Sequence, residues 1–129
     1  MASASASVDD DLQKASAAFQ ALNNELSAAV DARQRLDAQL AENEQVKKEF
    51  AGLKEHNTVY KMVGPVLVQQ EHAEARQTVD KRLEFIRGEL SRVETQIKDV
   101  AAKAESKKAE IAALQGQRIQ TRPGAVAAA

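Results

Sequence analysis

The chain contains no cysteine and no tryptophan, only two prolines and five glycines, and 3% aromatic residues. Each scarcity excludes something. Without cysteine there is neither a disulfide framework nor a thiolate metal site, which fits a reducing compartment. With three Phe and one Tyr in 129 residues, and with much of the 43% hydrophobic content supplied by alanine, the large side chains of an ordinary globular core are missing. Charge of one sign is missing too. The 18 Lys and Arg against 19 Asp and Glu leave a formal net charge of -1, so no strong field draws in nucleic acid or an anionic membrane. No run approaches the roughly 20 apolar residues that span a bilayer. "MASASASVDD" has neither a basic start nor an apolar core, so no secretory signal is expected. The expectation is a soluble cytoplasmic protein, with a nuclear pool allowed.

Catalytic constellations are equally scarce. His56 and His72 are the only histidines, and "EHAE" lacks the i, i+4 histidine pair that a zinc protease sets on one helix face. Both histidines read as exposed polar residues. The glycines are scattered, so no phosphate-cradling loop exists, and the abundant carboxylates read as solvating charges. No enzyme, cofactor or metal is expected.

What the chain does have is 29% charged residues and strict helical periodicity, the signature of a coiled coil. Ser7 followed by Asp10 resembles a capping box, and Asp9, Asp10 and Asp11 place negative charge at a helix start. From there Leu12, Ala15, Phe19, Leu22, Leu26, Ala29, Leu36 and Leu40 step by threes and fours. Arg33 interrupts this seam, and near Asn43 the pattern wavers between Val46 and Lys47 before Phe50 and Leu53. Gly52 and Asn57 then weaken the helix. The second half holds one heptad register through Val79, Leu83, Ile86, Leu90, Val93, Ile97, Val100, Ala104, Lys107, Ile111 and Leu114. Acidic residues stand four ahead of basic ones at Asp31 and Arg35, Glu44 and Lys48, Glu94 and Lys98, and Asp99 and Lys103. Such pairs are worth about 0.2–0.5 kcal/mol each. Arg122-Pro123-Gly124 predicts the end of the second helix.

Between the helices lies "NTVYKMVGPVLVQQ", Asn57 to Gln70, which has strand chemistry on both sides of a Gly-Pro pair. Pro65 cannot donate to a ladder, so Gly64-Pro65 is the expected bend, although proline after glycine suits none of the common two-residue loops. Folding back there makes the helices antiparallel and sets Phe50 opposite Val79, Leu40 opposite Leu90, Leu36 opposite Val93, Leu26 opposite Ala104, and Phe19 opposite Ile111. The seams match along almost their whole length. Each arm of some 45 residues is then on the order of 65–70 Å long. The expected organisation is a disordered segment over 1–7, a coiled-coil helix over 8–56, a hairpin over 57–70, a second coiled-coil helix over 71–121 and a disordered tail over 122–129. The fold class is thus mainly α, a long antiparallel two-helix coiled coil with one β-hairpin between the helices.

That hairpin presents apolar groups on both faces, Val59 and Val63 on one and Tyr60 and Met62 on the other. An isolated two-stranded hairpin is marginal in water, and a narrow coiled coil cannot cover both faces. Its edges and faces therefore ask for other chains.

"VYKMVGPVLVQQE" followed by "EARQTVDKRLEFIRGEL" resembles the β-class subunits of prefoldin. The resemblance is specific over the hairpin and the start of the second helix, and elsewhere rests on pattern. It implies a hexamer of two α-class and four β-class subunits whose hairpins form a platform of small barrels, with the coiled coils hanging as tentacles. It implies an ATP-independent holdase that captures unfolded or nascent chains, of the actin and tubulin type, and passes them to the group II cytosolic chaperonin. It assigns Val59, Tyr60, Met62, Val63, Val66, Leu67 and Val68 to the platform, joined through Gly64 and Pro65.

Client contacts are not carried by a motif. Reversal at the hairpin puts both termini at the opposite end, where Lys107 takes a core position opposite Leu22 and Ala15 faces Leu114. Small and charged core residues weaken the pairing there, leaving Leu12, Phe19, Ile111, Leu114 and Ile119 as candidate contacts for an apolar client segment. The expected partners are other prefoldin subunits, unfolded proteins and the chaperonin, with no nucleic acid and no membrane. The competing class is a coiled-coil adaptor that recruits a folded partner.

Overall fold

In a computed structural model, residues 2–121 are described, and the tail expected over 122–129 and its Arg122-Pro123-Gly124 stop lie outside them. Two long helices pack together with a small antiparallel hairpin between them: α1 (Ala2–Ala51), β1 (Val59–Val63), β2 (Val66–Gln70) and α2 (His72–Thr121). The described residues cluster into two compact units, one of 2–30 with 95–121 and one of Asp31–Glu94.

In the Asp31–Glu94 unit the core is built on α2. Ala75, Val79, Leu83, Ile86, Leu90 and Val93 are buried, whereas Ala32, Leu36, Leu40, Val46 and Phe50 of α1 are half-buried. The ambiguity near Asn43 resolves in favour of Val46, since Lys47 is exposed and pairs with Asp80 at 3.1 Å. Arg33 does not interrupt the seam. Ala32 takes the inward position, and exposed Arg33 reaches Glu94 across the helix pair at 3.9 Å. None of the four expected intrahelical pairs closes. Glu44 bonds Arg87 at 3.3 Å instead, and Glu94 takes Arg33. Exposed pairs of either kind are worth well under about 1 kcal/mol, so side-chain reach beside the seam decides between them. These cross-helix bridges link residues that the antiparallel register places nearly level.

In the other unit the buried positions are Ala15, Ala29, Val100 and Ala104, and Leu12, Phe19, Leu22, Leu26, Ile97, Ile111 and Leu114 are half-buried. Arg118 of α2 meets Asp9 of α1 at 3.0 Å, which carries the antiparallel pairing into the first turns of α1. The segment expected to be disordered over 1–7 is helical from Ala2 onward. Alanine is the best helix former, and half-buried Ser5 and Val8 continue the three-four spacing of Leu12 and Ala15. Ser7 therefore lies inside the helix rather than capping it.

At its other end α1 stops at Ala51, earlier than the 56 expected. Gly52 and Leu53 close the last turn through N–H bonds to the carbonyls of Glu49 and Phe50, and Arg76 of α2 also donates to the Phe50 carbonyl at 3.2 Å. These bonds satisfy carbonyls that a helix end leaves open. Asn57 Oδ1 accepts from the Lys54 N–H at 2.8 Å, closing a local turn before the strand. His72 is half-buried and its Nε2 donates to the Asn57 carbonyl, so it ties the start of α2 to the strand entry rather than standing exposed in water.

The hairpin register pairs Val59 with Gln70, Tyr60 with Gln69, Lys61 with Val68, Met62 with Leu67 and Val63 with Val66. Gly64-Pro65 is thus a two-residue loop. Gly64 has φ 61°, and Pro65 holds a negative φ by its ring. A positive first and negative second φ is the pattern of a type II′ turn, in which Gly takes the first position. The expectation that Gly-Pro suits no common loop is corrected, because the turn needs no donor from the proline. Gly64→Ala puts a Cβ into the left-handed region and is expected to destabilise the hairpin by about 1 kcal/mol. Amide exchange of Val59–Val63 reads the effect, and unchanged exchange rates would refute it. A Cβ at Gly64 meets nothing within 4 Å, so any loss is conformational rather than steric.

Candidate functional site: an uncovered two-faced hairpin

Strand alternation sorts the hairpin side chains. Val59, Lys61, Val63, Val66, Val68 and Gln70 share one face, and Tyr60, Met62, Leu67 and Gln69 share the other. Both faces are open. Tyr60 is 57% exposed, Met62 71%, Val66 56% and Leu67 61%, and Val63 and Val68 are comparably uncovered, while Val59 is half-buried. The sheet has two strands among the described residues, so each strand also offers an unpaired edge.

Single exposed apolar residues are ordinary on a surface, but a contiguous two-sided cluster is not. Neither helix supplies a stripe to cover it, because each buries its apolar stripe against the other. Water must solvate the apolar side chains on both faces, and the edge N–H and C=O groups have no strand partner. Adding strands at the edges and side chains at the faces removes both defects at once. The residues assigned to a platform from sequence stand together on this uncovered hairpin.

The tip residues expected to meet clients all fall in the unit of 2–30 with 95–121. Leu12, Phe19, Ile111 and Leu114 are half-buried and Ile119 is 64% exposed. Leu22 and Lys107 line one open groove of about 470 Å3 with Ala18, Ala21 and Glu25, which agrees with their expected opposition. Lys107 does not sit as a naked charge in the seam: its ammonium bonds Glu110 at 2.8 Å. The buried positions of this unit are alanines and one valine, so the longer apolar side chains stay partly open beside them.

Phe85 of α2, which sequence reasoning passed over, is 68% exposed. Its signal was available, since it falls outside the heptad positions Val79, Leu83, Ile86 and Leu90. Elsewhere the charges are ordinary. Arg92 donates to Glu89 at 2.9 Å, and that bond and the carboxylate's charge raise the guanidinium pKa above its usual range. No cluster of potential metal ligands occurs among the described residues, and no helix there is long and apolar enough to cross a membrane.

Comparison with known proteins agrees with this architecture. A family model described as "Prefoldin subunit" matches residues 13–118. Prefoldin subunit 6 of Mus musculus is 46% identical over 97 residues, 75% of this chain and 76% of that protein. Prefoldin subunit 6 of Saccharomyces cerevisiae is 44% identical over 108 residues, 84% of this chain and 95% of that protein. The crystal structure of the prefoldin beta subunit from Thermococcus strain KS-1 shares the fold, with a TM-score of 0.73 over 81% of this chain and 92% of that one, at 24% identity. Two helices flanking a single exposed hairpin, and a family match that takes in the hairpin and most of both helices, make this chain a member of the prefoldin subunit family.

Proposed function

We propose that the chain is one arm of a heteromeric holdase that binds unfolded or nascent proteins without nucleotide and delivers them to a group II chaperonin. Prefoldin subunits are non-enzymatic chaperone components, and membership implies a hetero-oligomer with other prefoldin subunits. The proposal adds the stoichiometry of two α-class and four β-class subunits, clients of the actin and tubulin type, and the cytosol as the place of action. The observation that carries it is the hairpin. Six large apolar residues exposed on two faces of one short sheet are a joint for neighbouring strands, and a joint at one place on each subunit gives a complex with several free arms.

Support for client capture comes from the unit whose buried positions are mostly alanine. A seam so filled is narrow, and Leu12, Phe19, Ile111, Leu114 and Ile119 are not consumed by it. Burial of 200 Å2 of apolar surface per arm contributes about 5 kcal/mol before the entropy of ordering is counted. That is millimolar-grade binding at best. Several arms on one client raise the effective concentration and make the weak grip useful.

The test replaces Leu12, Phe19, Ile111 and Ile119 by Ser within the assembled complex and measures suppression of aggregation of a chemically denatured protein. Most of this subunit's contribution is expected to disappear while native mass stays unchanged. Full activity in an intact complex would remove these four residues from the account. A complex that binds one folded protein and no denatured ones would favour the adaptor reading.

A further inference from the structure

On the Asp31–Glu94 unit, an open groove of about 500 Å3 lies between the helices, lined by Gln39 and Asn43 of α1 and by Lys81, Arg82, Phe85 and Ile86 of α2. Its origin is in the sequence. Asn43 falls at a seam position, where its short amide donates back to the Gln39 carbonyl at 2.7 Å instead of reaching toward α2. Buried Ile86 is thereby left at the groove lining, with Phe85, 68% exposed, beside it.

Three features set this groove apart from a plain solvated flank. A phenylalanine that could have been any polar residue stands mostly in water. One turn on, at the next i+3 position, Gly88 sits in the helix interior, where glycine costs about 1 kcal/mol relative to alanine. A Cβ built there meets nothing within 4 Å, so nothing inside the chain calls for a glycine. Glycine in such a place permits close approach of another backbone. Third, the charge of the lining is one-sided. Lys81 and Arg82 line the groove and make no ion pair among the described residues, while Asp80, Glu44 and Glu89 are engaged by Lys47, Arg87 and Arg92, and Glu84, beside Phe85, is not part of the lining. No carboxylate lines the groove.

We propose that this groove is a second subunit-docking surface, which takes an apolar side chain flanked by carboxylates from a companion prefoldin subunit. The inference rests on the hetero-oligomer that family membership implies. Neighbours that complete the hairpin necessarily approach the unit that contains it. A companion's apolar side chain stacks on Phe85 and Ile86, its carboxylates meet Lys81 and Arg82, and Gly88 admits its backbone. Anchors of this kind, an aromatic with an arginine beside it, carry a disproportionate share of binding energy.

The experiment is a competition for limiting companion subunits between the wild-type chain and Phe85→Ala, read by native mass, with Lys81→Glu/Arg82→Glu as a second variant. Wild type is expected to be incorporated in preference by roughly tenfold or more, as truncation of a central aromatic anchor implies. Circular dichroism of each isolated variant is expected to match wild type, because both sites are exposed. A photo-crosslinking residue at position 85 in the assembled complex is expected to capture a companion subunit at an acidic segment. Equal incorporation of both variants overturns the proposal, as does crosslinking only to a second copy of this chain, a denatured client or a chaperonin. Failure of the underlying hetero-oligomer looks different, since wild type would then not enter a complex at all.

Discussion

Tyr60→Asp and Val66→Asp each abolish the hetero-oligomer while leaving helix content close to that of the wild-type chain. The reason is an asymmetry between free and assembled states. In the free chain Tyr60 and Val66 are 57% and 56% exposed, so a carboxylate there is solvated and costs little. Inside a joint made with neighbouring strands, the same carboxylate must be stripped of water with no partner in place. An unpaired buried charge costs several kcal/mol, enough to shift assembly by three or more orders of magnitude. The two residues stand on opposite faces of the hairpin. If both variants fail, both faces are covered in the complex; if Val66→Asp alone fails, one face stays open to water. Native mass measures assembly and far-ultraviolet circular dichroism measures helix. Persistence of the full complex with both variants would end the reading of the hairpin as a joint.

Leu83→Ala has the largest expected effect on the fold itself. Leu83, 1% exposed, is the one side chain among the described residues that is fully enclosed. Truncating a buried leucine costs about 2–5 kcal/mol, the removed methylenes plus the residual cavity. The total stability of a small domain is only about 5–15 kcal/mol, and a two-helix seam with no second layer has little to spare. A fall of about 10 °C or more in the melting of the isolated chain is expected, whereas Leu83→Met, which keeps the volume, costs less than about 1.5 kcal/mol. Phe85→Ala is the internal control. Two positions further on and larger than Leu83, it is expected to leave melting unchanged, because its ring lies outside the seam. Equal melting shifts for the two alanine variants would show that the seam assignment is wrong.

Where sequence and structure part company, the cause is local each time. The heptad of α2 was legible because burial there is decided by position alone: Val79, Leu83, Ile86, Leu90 and Val93 are all buried as their spacing requires. On α1 the spacing put Arg33 in the seam as an interruption and left the Val46–Lys47 pair unsettled. Only the facing helix settles these, since Arg33 and Lys47 are drawn outward by Glu94 and Asp80. Two of the expected i, i+4 ion pairs gave way for the same reason, since Glu44 turns to Arg87 and Glu94 to Arg33 across the helices. His72 looked like an exposed polar residue because its acceptor, the Asn57 carbonyl, lies fifteen residues away and belongs to the backbone.

Sequence alone determined that two amphipathic helices flank a β-forming segment, that they pair antiparallel about Gly64-Pro65, and that the segment is too apolar to stand by itself. These follow from periodicity, backbone chemistry and composition, which are local properties. Tertiary structure alone decided which side chains the pairing leaves over: the six bare residues of the hairpin, the groove beside Phe85, and the half-open leucines around an alanine-filled seam. Exposure is a property of what stands opposite, and no residue carries that information by itself.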